Sequence, residues 1–205
     1  MIVTELFKQN CLSHKQPLSN TLILLNVANF SEAIAYVRNL PYGRNSERNN
    51  YKLIIEEKRG TCSTKHAFIK ALADENNIDL QLLIGIFLMT PANTPAISNI
   101  LEKHNINAIP EAHCYLRYKN ITFDITFPDH IVDPYELGIL KEESIIPSQI
   151  GKYKVNFHRE FIQDWIFAEN LSISHEVLWH CREDCIQALS RIAQREKSDD
   201  RNLYS

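Results

Sequence analysis

The chain lacks the segments that direct a protein across or into a membrane. Residues 1–16 contain no basic stretch followed by an apolar run and a small-residue cleavage site, so we expect no signal peptide. The most apolar stretches, residues 21–27 and 80–89, have about half the length that a membrane-spanning helix needs. We therefore expect a cytoplasmic protein without a membrane partner.

Clusters of basic residues are missing too. The 22 Lys and Arg residues are fewer than the 25 Asp and Glu residues, and the formal net charge is −3. Proteins that follow a phosphate backbone present a basic face, so we expect no nucleic-acid partner.

Glycine is scarce, with 5 residues, and 44% of the 205 residues are hydrophobic, which suits one globular domain or one domain with a helical extension.

The cysteines do not form the even set that a disulfide framework requires. There are five of them, and without an export signal they are expected to be reduced thiols. They are Cys11, Cys62, Cys114, Cys181 and Cys185.

The order of the predicted elements favours the α+β class, because strands are grouped between helices. Helices are indicated by apolar residues at helical spacing after capping residues such as Asn29, and strands by alternating or continuous apolar runs. The predicted segments are helix 29–40, helix 62 to about 76, strand 80–89, two strands within 111–127, and amphipathic helices 158–169 and 174–194.

Cys62 lies where a thiol is expected to be reactive. If Thr61 caps the second helix, Cys62 occupies its first turn, where unpaired N–H groups and the helix dipole favour a thiolate. An N–H group there can also bind the oxyanion that forms when the sulfur attacks a carbonyl. Lys65 and His66 are expected to add positive charge near the same helix face, and Gly60 to permit close approach of a substrate backbone.

Two alternating segments predict a hairpin that carries a base and its orienter. A two-residue turn at Lys119-Asn120 pairs Tyr118 with Ile121. The face expected to meet the core then carries Cys114, Leu116, Tyr118, Ile121, Phe123, Ile125 and Phe127, and the other carries His113, Tyr115, Arg117, Thr122, Asp124 and Thr126. His113 and Asp124 become diagonal neighbours, so the carboxylate can hold the imidazole in one tautomer.

These residues resemble the core of the transglutaminase-like superfamily, in which Gly-x-Cys begins a helix, a His follows on a strand and an Asp on the next strand. Here they are Gly60-Thr61-Cys62, His113 and Asp124-Ile125-Thr126, the last in place of the usual Asp-Pro-Thr. The resemblance covers about residues 52–127. The run Arg59-Gly60-Thr61-Cys62 is also similar, more weakly, to the Arg-Gly-Gly-x-Cys of arylamine N-acetyltransferases.

The resemblance implies a papain-like thiol enzyme that hydrolyses an amide or isopeptide bond through a thioester, without a cofactor or a metal. Its catalytic triad would be Cys62, His113 and Asp124. The residues expected to support the triad are Gly60, Thr61, Lys65, His66 and Thr126. Those expected to contact a peptide or amide substrate are Tyr42, Arg44, Asn45 and Tyr115, since loops often carry specificity.

On this basis residues 1–150 are predicted to form a transglutaminase-like catalytic domain with its core at 52–127. Residues 151–195 are predicted to form a helical extension that packs an apolar stripe, including Trp165, Leu178 and Leu189, on that core or on a second subunit. The charged residues 196–205 are predicted to be a disordered tail.

Other interpretations of the same residues stay open. The chain can be a non-catalytic protein-interaction module that keeps the fold, or an amine acyltransferase. A zinc site is a further alternative, because Cys62 and His66 are four residues apart on a helix and His113 and Cys114 follow. Adjacent strand residues point to opposite faces, however, which makes it hard for His113 and Cys114 to bind one ion. Cys181 and Cys185 lack obvious further ligands.

Overall fold

A computed structural model describes residues 3–128 and 133–202 of the chain. The helices and strands, in chain order, are α1 (Pro17–Ile23), α2 (Phe30–Asn39), α3 (Leu53–Glu56), α4 (Cys62–Glu75), β1 (Leu80–Met89), α5 (Ser98–Lys103), β2 (Ile109–Tyr118), β3 (Ile121–Phe123), β4 (Lys141–Ile145), α6 (Lys152–Ala168) and α7 (His175–Asn202). Short 3-10 helices occupy Val3–Phe7, Pro95–Ile97, Pro134–Leu137 and Pro147–Ile150.

The strands form one antiparallel sheet in the order β3-β2-β1-β4, which confirms the α+β class. β1 lies in the interior of the sheet and pairs with β2 along its whole length, from Leu80 opposite Tyr118 to Met89 opposite Ile109. Burial on both sides explains why β1 is a nearly continuous apolar run. The hairpin has the predicted register, with Tyr118 opposite Ile121, although the β2–β3 ladder ends at Leu116 and Phe123.

The main core lies between the sheet and the N-terminal helices. α4 packs on β1 and β2, and α1 and α2 pack on α4. Asn29 caps α2 by accepting a hydrogen bond from the backbone N–H of Glu32, at 2.9 Å. The buried apolar side chains that fill this layer include Phe30, Ile34, Phe68, Leu72, Leu116, Phe123 and Ile125.

The opposite face of the hairpin is covered as well. α6 and α7 pack against β2, and a second apolar cluster forms around Phe87, Ile162 and Leu178. Trp165 and Leu189 lie against this cluster and are partly buried. The polar face that carries His113 is therefore enclosed by the C-terminal helices. Whether residues 1–150 form a separate domain stays a prediction.

α7 continues to Asn202 and so includes residues 196–202, which were predicted to belong to a disordered tail. The physical reason is that residues 175–202 contain no Gly or Pro to end the helix, and Arg, Glu and Lys are good helix formers. Residues 203–205 of the predicted tail lie outside the described residues. No helix in the described part of the chain has the length and apolar content to cross a membrane.

Ending the chain after Ser148 is expected to leave an insoluble protein or one without cooperative unfolding. The truncation removes α6 and α7 and exposes Phe87, Ile97 and Ile109, which these helices cover. Sedimentation of the lysate and thermal denaturation followed by circular dichroism measure the effect. A soluble truncation with a sharp unfolding transition would contradict it.

Candidate active site

Cys62 is the first residue of α4 and is 7% exposed. Thr61 is the N-cap residue, and its backbone N–H donates to the Thr64 hydroxyl at 3.0 Å, which fixes the turn that begins the helix. The first N–H groups of a helix have no partner within it. The sulfur therefore lies at the positive end of a 14-residue helix, as the sequence predicted.

A lysine from the C-terminal helices lies beside this sulfur. The Lys154 ammonium is 3.6 Å from Cys62 Sγ and donates to Ser63 Oγ at 2.7 Å. Burial alone raises the pKa of the Cys62 thiol, but the charges of Lys154 and His113, with hydrogen bonds from His113 and the Cys114 backbone, lower it well below its ordinary value. The geometry therefore favours a thiolate at Cys62.

His113 and Asp124 are held together on the hairpin. His113 Nε2 is 2.7 Å from Asp124 Oδ2, which leaves Nδ1 as the ring nitrogen for the thiol. Burial lowers the pKa of His113, but the charges of Asp124 and Cys62 and hydrogen bonds to both raise it well above its ordinary value. Burial raises the pKa of Asp124, and the charge and hydrogen bond of His113 outweigh it and lower that pKa. The favoured state is an imidazolium between two anions.

Thr126 and His66 fix the Asp124 carboxylate. The Thr126 backbone N–H donates to Asp124 Oδ1 at 2.7 Å, and the Thr126 hydroxyl donates to the same oxygen. His66 Nε2 lies 2.9 Å from the Ile125 nitrogen and 3.2 Å from Asp124 Oδ1, and His66 Nδ1 lies 2.6 Å from the Cys62 carbonyl oxygen. His66 thus joins the start of α4 to the segment of Asp124, and its predicted positive charge beside the thiol stays a prediction.

Lys65, which was expected to supply positive charge to the thiol, is held by backbone carbonyls. The Lys65 ammonium is fully buried and donates to the carbonyl oxygens of Arg38, Leu40 and Thr126, at 3.0, 2.6 and 2.7 Å. Two of these carbonyls belong to the end of α2 and the third to the segment of Asp124, so Lys65 ties both segments to α4. The cation beside the sulfur is Lys154.

The role expected of Gly60 is also different. Gly60 is buried, and its N–H and carbonyl pair with the Pro41 carbonyl at 3.0 Å and the Gly43 N–H at 3.1 Å. A Cβ at this position would lie 3.0 Å from the side chains of Lys65 and Thr64. Packing within the protein therefore leaves little room for a side chain at this position.

Of the residues expected to contact substrate, Tyr42 and Arg44 line cavities next to Cys62. The Tyr42 ring stacks on Phe127 with centroids 5.3 Å apart, and Arg44 pairs with Glu183 at 2.8 Å. Asn45 lies beside the same space, but its amide donates to Glu57 and the Arg59 carbonyl and accepts from Thr64. Its polar atoms are therefore engaged inside the protein.

Tyr115 does not reach the cavities next to Cys62. Its side chain is fully buried, and its hydroxyl donates to Glu142 on β4. The ring lies parallel to His113, with centroids 6.4 Å apart and planes 21° apart. β4 and residues 133–140 cover this part of the face, so the Tyr115 ring packs beside His113 inside the protein. Its predicted contact with substrate is wrong, because Tyr115 lines neither cavity next to Cys62.

Two features of the site were missed by the sequence analysis, and both come from the C-terminal helices. One is Lys154. The other is the buried pair of Arg182 on α7 and Glu111 on β2, whose closest atoms are 2.5 Å apart. The pKa of Glu111, which burial raises, is lowered to about 2 by Arg182. Lys154 precedes Phe157 and Ile162 on the buried stripe of an amphipathic helix, and a lysine on an apolar stripe is the signal that could have identified it.

Two cavities meet at Cys62. The first, of about 320 Å³, is lined by basic side chains from the loop 44–49 and from α6 and α7, and we call it the cationic cavity: Arg44, Arg48, Lys152, Lys154 and Arg182. The second, of about 430 Å³, is lined by His113, Asp124 and mostly apolar residues, and we call it the apolar cavity: Phe87, Met89, Pro95, Phe127, Leu137 and Leu189. Tyr42, Cys62, Glu111 and Ile186 border both.

Among the described residues, no group of three or more His, Cys, Asp or Glu side chains is arranged to hold a metal ion. The ring nitrogens of His66, a residue of the zinc alternative, are both hydrogen-bonded within the protein. The neighbouring Cys114 is a buried thiol whose pKa burial raises. Comparison of the chain with protein-family models, with curated proteins and with solved structures finds no match.

Proposed function

We propose that the protein is a cysteine-dependent acyl-transfer enzyme that hydrolyses an amide or isopeptide bond through a thioester, with the arrangement of the transglutaminase-like superfamily. The observation that supports it best is that Cys62 borders the same cavity as His113, whose ring Asp124 holds at 2.7 Å, with the Cys62 pKa lowered and the His113 pKa raised. A thiolate beside a protonated imidazole is the reactive pair that attack on an amide needs.

In the first half of the reaction the Cys62 thiolate attacks the carbonyl carbon of the amide. The carbonyl oxygen becomes an oxyanion, which N–H groups at the start of α4 and the Lys154 ammonium stabilise. When the C–N bond breaks, His113 transfers its proton to the departing nitrogen. The products of this half are a free amine and a thioester on Cys62.

In the second half His113, now neutral, takes a proton from water as the water oxygen attacks the thioester carbon. The C–S bond breaks, a carboxylic acid leaves, and the thiolate–imidazolium pair forms again. Asp124 keeps the imidazole in one orientation throughout, because its other oxygen is held by Thr126. An amine in place of water would give transfer instead of hydrolysis.

Labelling with a thiol-reactive amide probe, followed by peptide mapping, tests the proposal. Cys62 is expected to be modified first, ahead of the exposed Cys11, because its lowered pKa favours the thiolate. The Cys62→Ala variant is the matched control and should take up no label at the active-site peptide. Equal labelling of Cys11 and Cys62 in the native protein would favour the non-catalytic interaction module.

A further inference from the structure

The two cavities beside Cys62 differ in charge. The cationic cavity carries five basic side chains, and its carboxylates are Glu111 and Glu183. Glu111 is held by Arg182, and Glu183 lies 2.8 Å from Arg44 and 3.9 Å from Arg48. His158 lines the same cavity, but burial lowers its pKa to about 4, so it adds no charge at neutral pH. Positive charge is therefore in excess in this cavity, although the whole chain has a net charge of −3.

The excess is concentrated at the start of α6. Within the described part of the chain, Lys152 and Lys154 make no ion pair with a carboxylate, and the first turn of α6 contains no acidic residue. The start of this 17-residue helix carries a partial positive charge, which adds to the charges of the two lysines and does not offset them. Lys154 is 8% exposed, so its charge acts in a region of low dielectric. Lys154 has the Cys62 sulfur beside it, whereas Lys152 pairs with no carboxylate among the described residues, so an anion entering this cavity would meet positive charge that no carboxylate neutralises.

The position of His113 sets the direction in which a substrate lies. His113 lines the apolar cavity and not the cationic one. Since the imidazolium gives its proton to the departing nitrogen, the amine part of the substrate must lie on the side of His113. The acyl part then extends from Cys62 in the other direction, towards Lys154 and Lys152.

We infer that the substrate is an amide of an acidic acyl group, whose carboxylate lies in the cationic cavity and whose leaving amine carries an apolar group in the apolar cavity. This inference rests on the proposed function, because it takes Cys62 as the nucleophile and His113 as the acid. The inference adds to that function a binding site for the carboxylate of the acyl group, formed by Lys152, Arg48 and Arg44. Glu111, which Arg182 holds, borders both cavities and lies between the two parts of the substrate.

Two alkylating probes of the same shape test the charge preference. One is 4-(iodoacetamido)butanoate, which carries a carboxylate, and the other is the neutral 4-(iodoacetamido)butanamide. At each cysteine, the rate constant of the carboxylate probe is divided by that of the neutral probe, both measured by peptide mapping at low ionic strength. This ratio is expected to be about tenfold higher at Cys62 than at Cys11. Lys152→Met and Arg48→Met should each lower the Cys62 ratio severalfold, and added salt should lower it too.

Lys103→Met is the matched control, because Lys103 lies at the end of α5, lines neither cavity and carries the same charge. Its ratio should equal that of the wild-type protein. If Cys62 reacts rapidly with both probes but with the ratio of Cys11, the anion site is overturned while the thiol chemistry stands. If Cys62 reacts no faster than Cys11 with either probe, the proposed function fails and this inference fails with it.

Discussion

At pH 6, Cys62 is expected to react with iodoacetamide at least about tenfold faster in the wild-type protein than in a His113→Ala variant. An ordinary thiol with a pKa near 8.5 is only about 0.3% ionised at that pH. In the wild-type protein the charges of Lys154 and His113 hold the Cys62 pKa well below this range. The variant keeps Lys154, so the pKa of its Cys62 thiol should rise only part of the way to that of an ordinary thiol.

Cys62→Ala should abolish both labelling of the active-site peptide and any turnover, because it removes the atom that forms the bond. Asp124→Ala should have a smaller effect than either variant, since the carboxylate acts through His113. Cys11, which is exposed, is the reference thiol within the same chain. An identical rate–pH profile for the wild-type protein and His113→Ala would show that the two residues do not form an ion pair.

The shape of the profile follows from the directions of the two pKa shifts. A thiol whose pKa falls on folding contributes stability above its unfolded pKa, and this is lost as the pH falls through its folded pKa. An imidazole whose pKa rises on folding contributes stability below its unfolded pKa, and this is lost as the pH rises through its folded pKa. The Cys62–His113 pair is therefore stabilising between the two folded values, and the alkylation rate should be nearly constant in that window.

Lys154→Met is expected to raise the Cys62 pKa by more than about one unit, which moves the acid side of the alkylation rate–pH profile to higher pH by the same amount. The ammonium lies 3.6 Å from Cys62 Sγ, and its charge is the largest of those that lower the thiol pKa. The same variant should unfold at a lower temperature. Burial lowers the pKa of the Lys154 ammonium, but the charges of Cys114, Cys62 and Glu111 outweigh it and raise that pKa. The folded protein therefore stabilises the ammonium that the variant removes.

Lys154→Arg is the control, since it keeps the charge while changing the shape of the group. It should retain most of the shift in the Cys62 pKa. Iodoacetamide rates from pH 5 to 10 and thermal denaturation of the three proteins measure both effects. A lower unfolding temperature together with an unchanged rate–pH profile would mean that Lys154 serves packing alone.

Local patterns were enough to predict the parts of the site that depend on nearby residues. Cys62 begins a helix because Thr61 and Thr64 form its first turn, and both residues are close to Cys62 in sequence. The register of the hairpin follows from its two-residue turn, which determines the face of His113 and Asp124. These features are fixed by contacts between residues close in the chain.

Local patterns did not predict the contacts of side chains whose partners are far away in sequence. Lys65 bonds to carbonyls 25, 27 and 61 residues away, so no local pattern gives its direction. The contact between Lys154 and Cys62 joins residues separated by 92 positions. Predicting it requires knowing that α6 crosses β2, which depends on how the second apolar cluster packs.

The 92 positions between Cys62 and Lys154 have a consequence for the synthesis of the chain. A chain that has left the ribosome only as far as Thr126 already contains Cys62, His113 and Asp124, but it lacks Lys154 and the helices that enclose the site. Long-range contacts of this kind form late in folding. Until α6 docks, the thiol lacks the largest of the charges that ionise it. Under the proposed function, the cysteine of the nascent chain is therefore less reactive than that of the folded protein, because its thiol gains the charge of Lys154 only when α6 docks.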